Sequence, residues 1–202
     1  MGIVSAFAIK PTLVGKLVTL RPFVDADLPH LGEILSDPEV RMFTGSVNTS
    51  SQAHSGPREL TDRERAWYLS RNQQEDRLDL AVEDNATGRC VGEVVINEWE
   101  PENQICNFRT FIGPLGRGRG LGGEAISLLM DYVFENTDVF RVGLEVFAFN
   151  PRAQHVYEKA GFVTEGRKRA VLVFDGQRID DIAMSLLRPD WEARRQTGQL
   201  DG

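Results

Sequence analysis

The amino-acid sequence predicts a mixed α/β (α+β) chain: a mostly antiparallel sheet flanked by about four helices. Three observations carry this reading. Residues 78–112 hold three apolar segments separated by short turn signals, the pattern of a meander. The segment Arg117-Gly118-Arg119-Gly120-Leu121-Gly122-Gly123 leads directly into an apolar helical stripe. Two further apolar segments flank Asp175-Gly176 and form a closing hairpin.

In chain order, Leu17–Phe23 alternates and reads as a strand. Asp25 caps a helix running roughly to Ser36, and Pro38 ends it. Thr44–Pro57 is polar and rich in Ser, Asn, Gly and Pro, a loop longer than most. Thr61 caps the second helix, with Glu64 completing a capping box. Strands follow at Leu78–Val82, Cys90–Trp99 and Ile105–Ile112, turned by residues 84–88 and by Pro101-Glu102-Asn103. The third helix spans Gly120–Asn136. Leu121, Ala125, Leu129 and Val133 recur along one face, and Ile126, Met130 and Phe134 widen it, so this helix is deeply buried. Arg141–Phe149 is a strand. Asn150 and Pro151 open the fourth helix as cap and first residue, and Gly161 closes it. Val171–Phe174 and Ile179–Leu187 make the hairpin, and from Trp191 on the chain is polar and expected to fray.

The 202 residues suit one domain, residues 1–202, with a core at about 12–191 and a polar tail at 192–202. No apolar stretch reaches the roughly 18 residues a membrane span needs. Met1–Ile9 is apolar but has no charged leader and no clear cleavage site, so no signal peptide is expected. Cys90 and Cys106 have neither metal spacing nor the count of a disulfide framework, so a cytoplasmic location is the simplest reading and no metal is expected. A net charge of −7 argues against direct nucleic-acid binding and mildly favours cationic substrates, although solubility alone would account for it.

The glycine segment is the most informative stretch. Glycines allow strained turns and close backbone approach, and a helix beginning there points unpaired N–H groups and a positive dipole end at one spot. That spot suits a phosphate, with Arg117 and Arg119 adding fixed charge. Gly118, Gly120 and Gly123 also satisfy G-x-G-x-x-G, but a dinucleotide site needs a preceding parallel strand within a series of βα repeats, and here a meander precedes. No G-x-x-x-x-G-K-[ST] loop is present.

Ile112-Gly113-Pro114 followed by Arg117-Gly118-Arg119-Gly120-Leu121-Gly122 resembles the acetyl-CoA motif of the GCN5-related N-acetyltransferases, [Q/R]-x-x-G-x-[G/A]. Asn150, Ala153, Tyr157 and Lys159-Ala160-Gly161-Phe162 are similar to the family's next motif, at matching distance. Leu20-Arg21-Pro22, Asp37-Pro38-Glu39-Val40, Asp181 and Ser185-Leu186-Leu187-Arg188 further resemble the branch that includes ribosomal-protein N-terminal acetyltransferases. The resemblance covers roughly residues 12–191.

It implies a sheet whose central strands splay, with the pantetheine arm of acetyl-CoA pairing against the strand of Phe111 and Ile112. It places the pyrophosphate on backbone N–H groups of Arg117, Gly118, Arg119, Gly120, Leu121 and Gly122. Asn150 would lie near the pantetheine amides and Arg152 near the phosphates; the alternatives are a plain helix cap and an exposed arginine. The reaction implied is direct attack of a neutral primary amine on the thioester. Tyr157 takes the family's position for protonating the leaving sulfur, against a core tyrosine as the alternative. Relatives in this branch often carry a glutamate at the position of Asn107, which is no useful base. Glu93 on the neighbouring strand is the first substitute, with Glu145, Asp181 and a water chain behind it; each carboxylate also has a structural reading. The acceptor is a peptide N-terminus or a small amine, and a homodimer through sheet edges or the terminal hairpin is left open. The competing class is a non-catalytic CoA or acyl-CoA sensor.

Overall fold

A computed structural model describes residues 6–56 and 59–198. Pro57, the expected end of the long loop, lies outside the described residues, as do the first five and last four. Eight strands form one sheet: β1 (Leu13–Val14), β2 (Val18–Arg21), β3 (Leu78–Asp84), β4 (Arg89–Glu100), β5 (Ile105–Ile112), β6 (Arg141–Phe147), β7 (Val163–Phe174) and β8 (Gln177–Leu187). Their spatial order is β1-β2-β3-β4-β5-β6-β8-β7. Every pairing is antiparallel except β5 with β6.

That parallel pairing is short. Three registered pairs, from Ile105 with Arg141 to Asn107 with Gly143, hold the strands together, and beyond them the strands part. β5 stays paired to β4 through Ile112, and β6 to β8 through Phe147. Phe108, the first residue of β5 past the pairing, packs against Tyr157 and Phe162 with ring centroids 6.2 Å apart in both cases. The three rings pack together where the strands part.

Seven α-helices occur among the described residues: α1 (Leu28–Leu35), α2 (Pro38–Phe43), α3 (Ser50–Ala53), α4 (Asp62–Ser70), α5 (Leu121–Asn136), α6 (Pro151–Lys159) and α7 (Arg188–Gln196). α5 buries its apolar stripe against one sheet face, where Leu129 and Val133 join Leu80, Val94, Phe108 and Val142 in the main core. α1 and α4 cover the other face with a smaller cluster built on Phe23, Leu31, Leu60 and Tyr68. The Thr61–Glu64 capping box forms as the sequence suggests, with Thr61 N–H donating to Glu64 at 2.7 Å.

Four expectations need correction. Asp25 does not cap α1: residues 25–27 form a single tight turn, and the Asp27 carboxylate accepts the Val24 N–H at 2.9 Å and a two-pronged bond from Arg21. Pro38 starts α2 as well as limiting α1, because Asp37 accepts the Val40 N–H at 3.0 Å. The long loop contains α3 and is tied to the β7–β8 turn, where Ser50 N–H donates to Asp175 at 2.9 Å and Asp175 N–H to the Asn48 carbonyl at 2.9 Å. β7 is far longer than Val171–Phe174; register shifts at Thr164/Gly166 and Lys168/Leu172 break its alternation.

The expected frayed C-terminus is also corrected, since α7 docks on α5. Trp191 is buried, lies 5.3 Å from the Phe134 ring and donates its indole N–H to Asp131 at 2.7 Å. Trp191→Ala is expected to cost about 3 kcal/mol of unfolding free energy in urea titration, by lost burial and a cavity. A change below about 0.5 kcal/mol, the level of an ordinary surface substitution, would mean the segment frays after all.

Candidate active site

Where β5 and β6 part, a cleft of about 460 Å³ opens. Phe111 and Ile112 form one wall, and Asn150, Arg152 and Tyr157 come from the start and inner face of α6. Arg117, Gly118, Gly120, Leu121 and Gly122 form its rim at the start of α5, and Glu93 enters from β4. Arg119 is not part of the lining.

The glycines have distinct physical reasons. Gly118 and Gly120 have φ of +72° and +81°, the left-handed region that side chains avoid. A Cβ at Gly122 would press on Ile112 at 3.3 Å. At Gly123, which the sequence reading left outside the cofactor set, a Cβ would meet no protein atom within 4 Å, so that part of the rim is open. The N–H groups of the first turn of α5 have no intrahelical acceptor and face this rim with the positive end of the helix dipole.

The arginines differ from expectation. Arg117 donates to Asp37 at 2.5 Å and to the Ile112 carbonyl at 3.0 Å, and pairs with Glu39 at 3.0 Å. Arg119 pairs with buried Asp84 at 2.7 Å and donates to the Leu115 carbonyl at 3.1 Å; the pair holds the Asp84 carboxyl below its usual range. Arg152 is paired with Glu39 at 2.9 Å. The expected free positive charge is thus neutralised, and Arg117 and Arg119 brace the loop from both sides. The positive groups left at the rim are the backbone N–H groups at the start of α5.

The two faces of the sheet differ across the split. Directly opposed residues of an antiparallel pair share a face. Glu93 opposes Phe111, and Asp181 opposes Phe147. With strand alternation, Glu93, Arg109 and Phe111 therefore share the α1–α4 face with Glu145, Phe147 and Asp181. Tyr157 lies on the α5 side, within the main core.

Glu93 is 8% exposed, and its Oε2 has no hydrogen-bond partner among the described residues. Burial pushes its carboxyl up to about 8; Asp79 adds to the rise, while Arg109, Arg77 and Arg71 pull against it. Burial pushes the Tyr157 phenol up to about 12, so it stays protonated across the neutral range. Burial and the neighbouring Glu145 push Asp181 up to about 6. Asn107 donates to Asn97 at 3.0 Å and does not line the cleft. Asn150 caps α6 through a 3.1 Å bond from the Ala153 N–H and lines the cleft as well. Arg109, Thr110, Phe43 and Phe147 also line it and escaped the sequence reading. Phe43 was hidden because residues 38–43 carry too short an apolar pattern to be assigned an element from the sequence. Among the described residues no cluster of three metal-ligating side chains occurs, and no helix is long and apolar enough to cross a membrane.

Residues 18–163 match the acetyltransferase (GNAT) domain family. A spermidine N(1)-acetyltransferase of Escherichia coli is 30% identical, over 89% of this chain and 91% of its own length. A putative ribosomal N-acetyltransferase of Bacillus subtilis is 27% identical, over 54% of this chain and 59% of its own. The fold is shared with a spermidine N-acetyltransferase of Vibrio cholerae solved with CoA and spermine, at a TM-score of 0.74 and 23% identity, over 88% of this chain and 99% of that one. The chain belongs to the GCN5-related N-acetyltransferase family and is an acyltransferase. The matches establish the family and not the ribosomal-protein branch.

The state of Glu93 has a consequence for stability. Below about pH 4.5 the carboxyl is neutral in the folded and unfolded chain alike. Between 4.5 and about 8 only the unfolded chain ionises, so Glu93 costs the fold progressively more, and above 8 the cost is complete. Glu93→Gln is therefore expected to leave the melting temperature nearly unchanged at pH 4.5 and to raise it at pH 8.5. An equal shift at both pH values would contradict the buried carboxyl.

Proposed function

We propose that this member of the family transfers an acetyl group from acetyl-CoA to a primary amine by direct attack. Glu93 receives the amine proton and Tyr157 protonates the departing sulfur. The observation that carries the reading is the split itself: one opening has a buried carboxyl on one face and a buried phenol on the other.

The chain's residues fit the co-substrate. Past Asn107 the edge of β5 that faces β6 lacks strand partners, so its N–H and C=O groups are available to amides of an extended arm. The rim over α5 offers N–H donors and open space for a pyrophosphate. Acetyl-CoA supplies the thioester, whose carbonyl carbon is the electrophile and whose sulfur leaves.

An amine is protonated in water at neutral pH and must lose that proton to attack. A carboxyl near 8 in a dry site is matched to accept it. Fixing the amine over the split removes the entropy of encounter. The developing sulfur anion meets the Tyr157 O–H, a donor already desolvated and therefore strong at short range.

The relatives named for spermidine support a small cationic amine over a peptide N-terminus. The single eight-stranded sheet supports reading the chain as one domain. Cys90 and Cys106 are buried free thiols, which accords with a reducing compartment such as the cytoplasm.

Two experiments test this. In Gly123→Leu the new side chain has room in the protein but projects at the rim. The melting-temperature rise given by acetyl-CoA is expected to disappear while the protein stays folded; a wild-type rise would move the pyrophosphate elsewhere. In Tyr157→Phe, kcat for thiol release is expected to fall about 10²-fold, the lower end for a general acid, with the KM for acetyl-CoA little changed. A wild-type kcat would leave Tyr157 as packing.

A further inference from the structure

The far side of the cleft from Glu93 carries groups that the transfer step does not use. Glu145 on β6 and Asp181 on β8 lie on the same face as Glu93, line the same cleft and share a hydrogen bond. Asp181 is only 7% exposed. Phe147, directly across the strand pair from Asp181, is braced by Phe149 at 5.4 Å, and Phe149 touches Phe43 at 5.7 Å and Phe174 at 5.8 Å. A carboxyl pair beside aromatic faces is chemistry that takes an ammonium group.

The pair already holds one. The Lys168 ammonium is bound to Glu145. Lys168 side chain is 55% exposed and stands where the register of β7 slips, two residues before Ala170 at φ +57°. An exposed pair of this kind is held weakly, so another ammonium can replace it. Glu93, nine-tenths buried with one unpartnered oxygen, independently marks the same cleft as wanting a polar ligand.

The strand order sets the spacing. Glu93 and Glu145 stand on β4 and β6, with β5 between them, so they are separated by two strand intervals, roughly 10 Å before the split widens it. Arg109 on β5 faces the cleft between the two acidic positions. A third positive charge midway along the ligand would meet that guanidinium.

We propose that Glu145, Asp181 and Phe147 form a second ammonium site, and that the acceptor is an α,ω-diamine with an uncharged linker. One amine reacts at Glu93, and the other displaces Lys168. This rests on the acetyl transfer at Glu93 argued above, and it adds the acceptor class and the residues that select it.

The test compares thiol release from acetyl-CoA with hexylamine and with 1,6-diaminohexane, reading the ratio of kcat/KM values. The ratio cancels any loss of active protein. Wild type is expected to favour the diamine by up to about tenfold, the statistical factor of two times about fivefold for a partly exposed ammonium contact. Asp181→Asn and Glu145→Gln should bring the ratio down to about two, the statistical value for two equivalent amines. Lys168→Met should raise it by removing the internal competitor. Spermidine should be used less well than the diamine, and Arg109→Gln should narrow that gap. A wild-type ratio near two, or a high ratio unmoved by the Asp181 and Glu145 substitutions, would overturn the second site while leaving acetyl transfer intact. Failure of both amines to release thiol would instead overturn the reaction on which it rests.

Discussion

The structure depends on one interruption: β5 and β6 pair at three positions and then separate. A continuous sheet would satisfy every backbone group here and leave no passage. Separation leaves two strand edges unpaired in the interior of the molecule, an arrangement that costs free energy unless something else bonds to them. The fork persists because each strand is tied on its other side, β5 to β4 and β6 to β8, and because Phe108, Tyr157 and Phe162 pack together where the strands part. An extended, amide-bearing ligand is the complement of that gap. The gap also connects the two faces of the sheet, with the acids on one face and the phenol on the other.

Charge around the cleft is arranged in two ways. At the glycine rim, positive side chains are answered by carboxylates: Arg117 and Arg152 meet at Glu39, and Arg119 is held by Asp84. These pairs brace the loop on both sides. Glu93 is the opposite case, a carboxyl sealed away with an oxygen unmatched. Asp84, bonded to Arg119, is held low, whereas a group pushed upward in a cleft has the profile of one that exchanges a proton.

The sequence made the local chemistry legible and hid what long-range contacts decide. Gly118, Gly120, the Asn150-Pro151 start and the Thr61–Glu64 box are written in adjacent residues, so their roles could be read directly. β7 was largely missed because its bulges and the left-handed Ala170 break the alternation by which strands are found. α7 was missed because its single buried anchor, Trp191, sits among charged residues. The arginines were given free charge because Asp37, Glu39 and Asp84, which neutralise them, lie far away in the chain. Glu93 could be named as a candidate, but its burial depends on β3 pairing beside β4 and on α1 and α4 covering that face, which no local pattern reveals.

Amide hydrogen exchange along β5 tests the role of the split most directly. Without ligand, the amides of residues 108–112 that face β6 should exchange quickly, because no strand pairs with them, while those facing β4 should be protected. Acetyl-CoA is expected to slow exchange at the split-facing amides and at residues 118–123, with little change in β3 or β8. Slow exchange at the split-facing amides before any ligand is added, or no slowing there at saturating acetyl-CoA, would contradict the account.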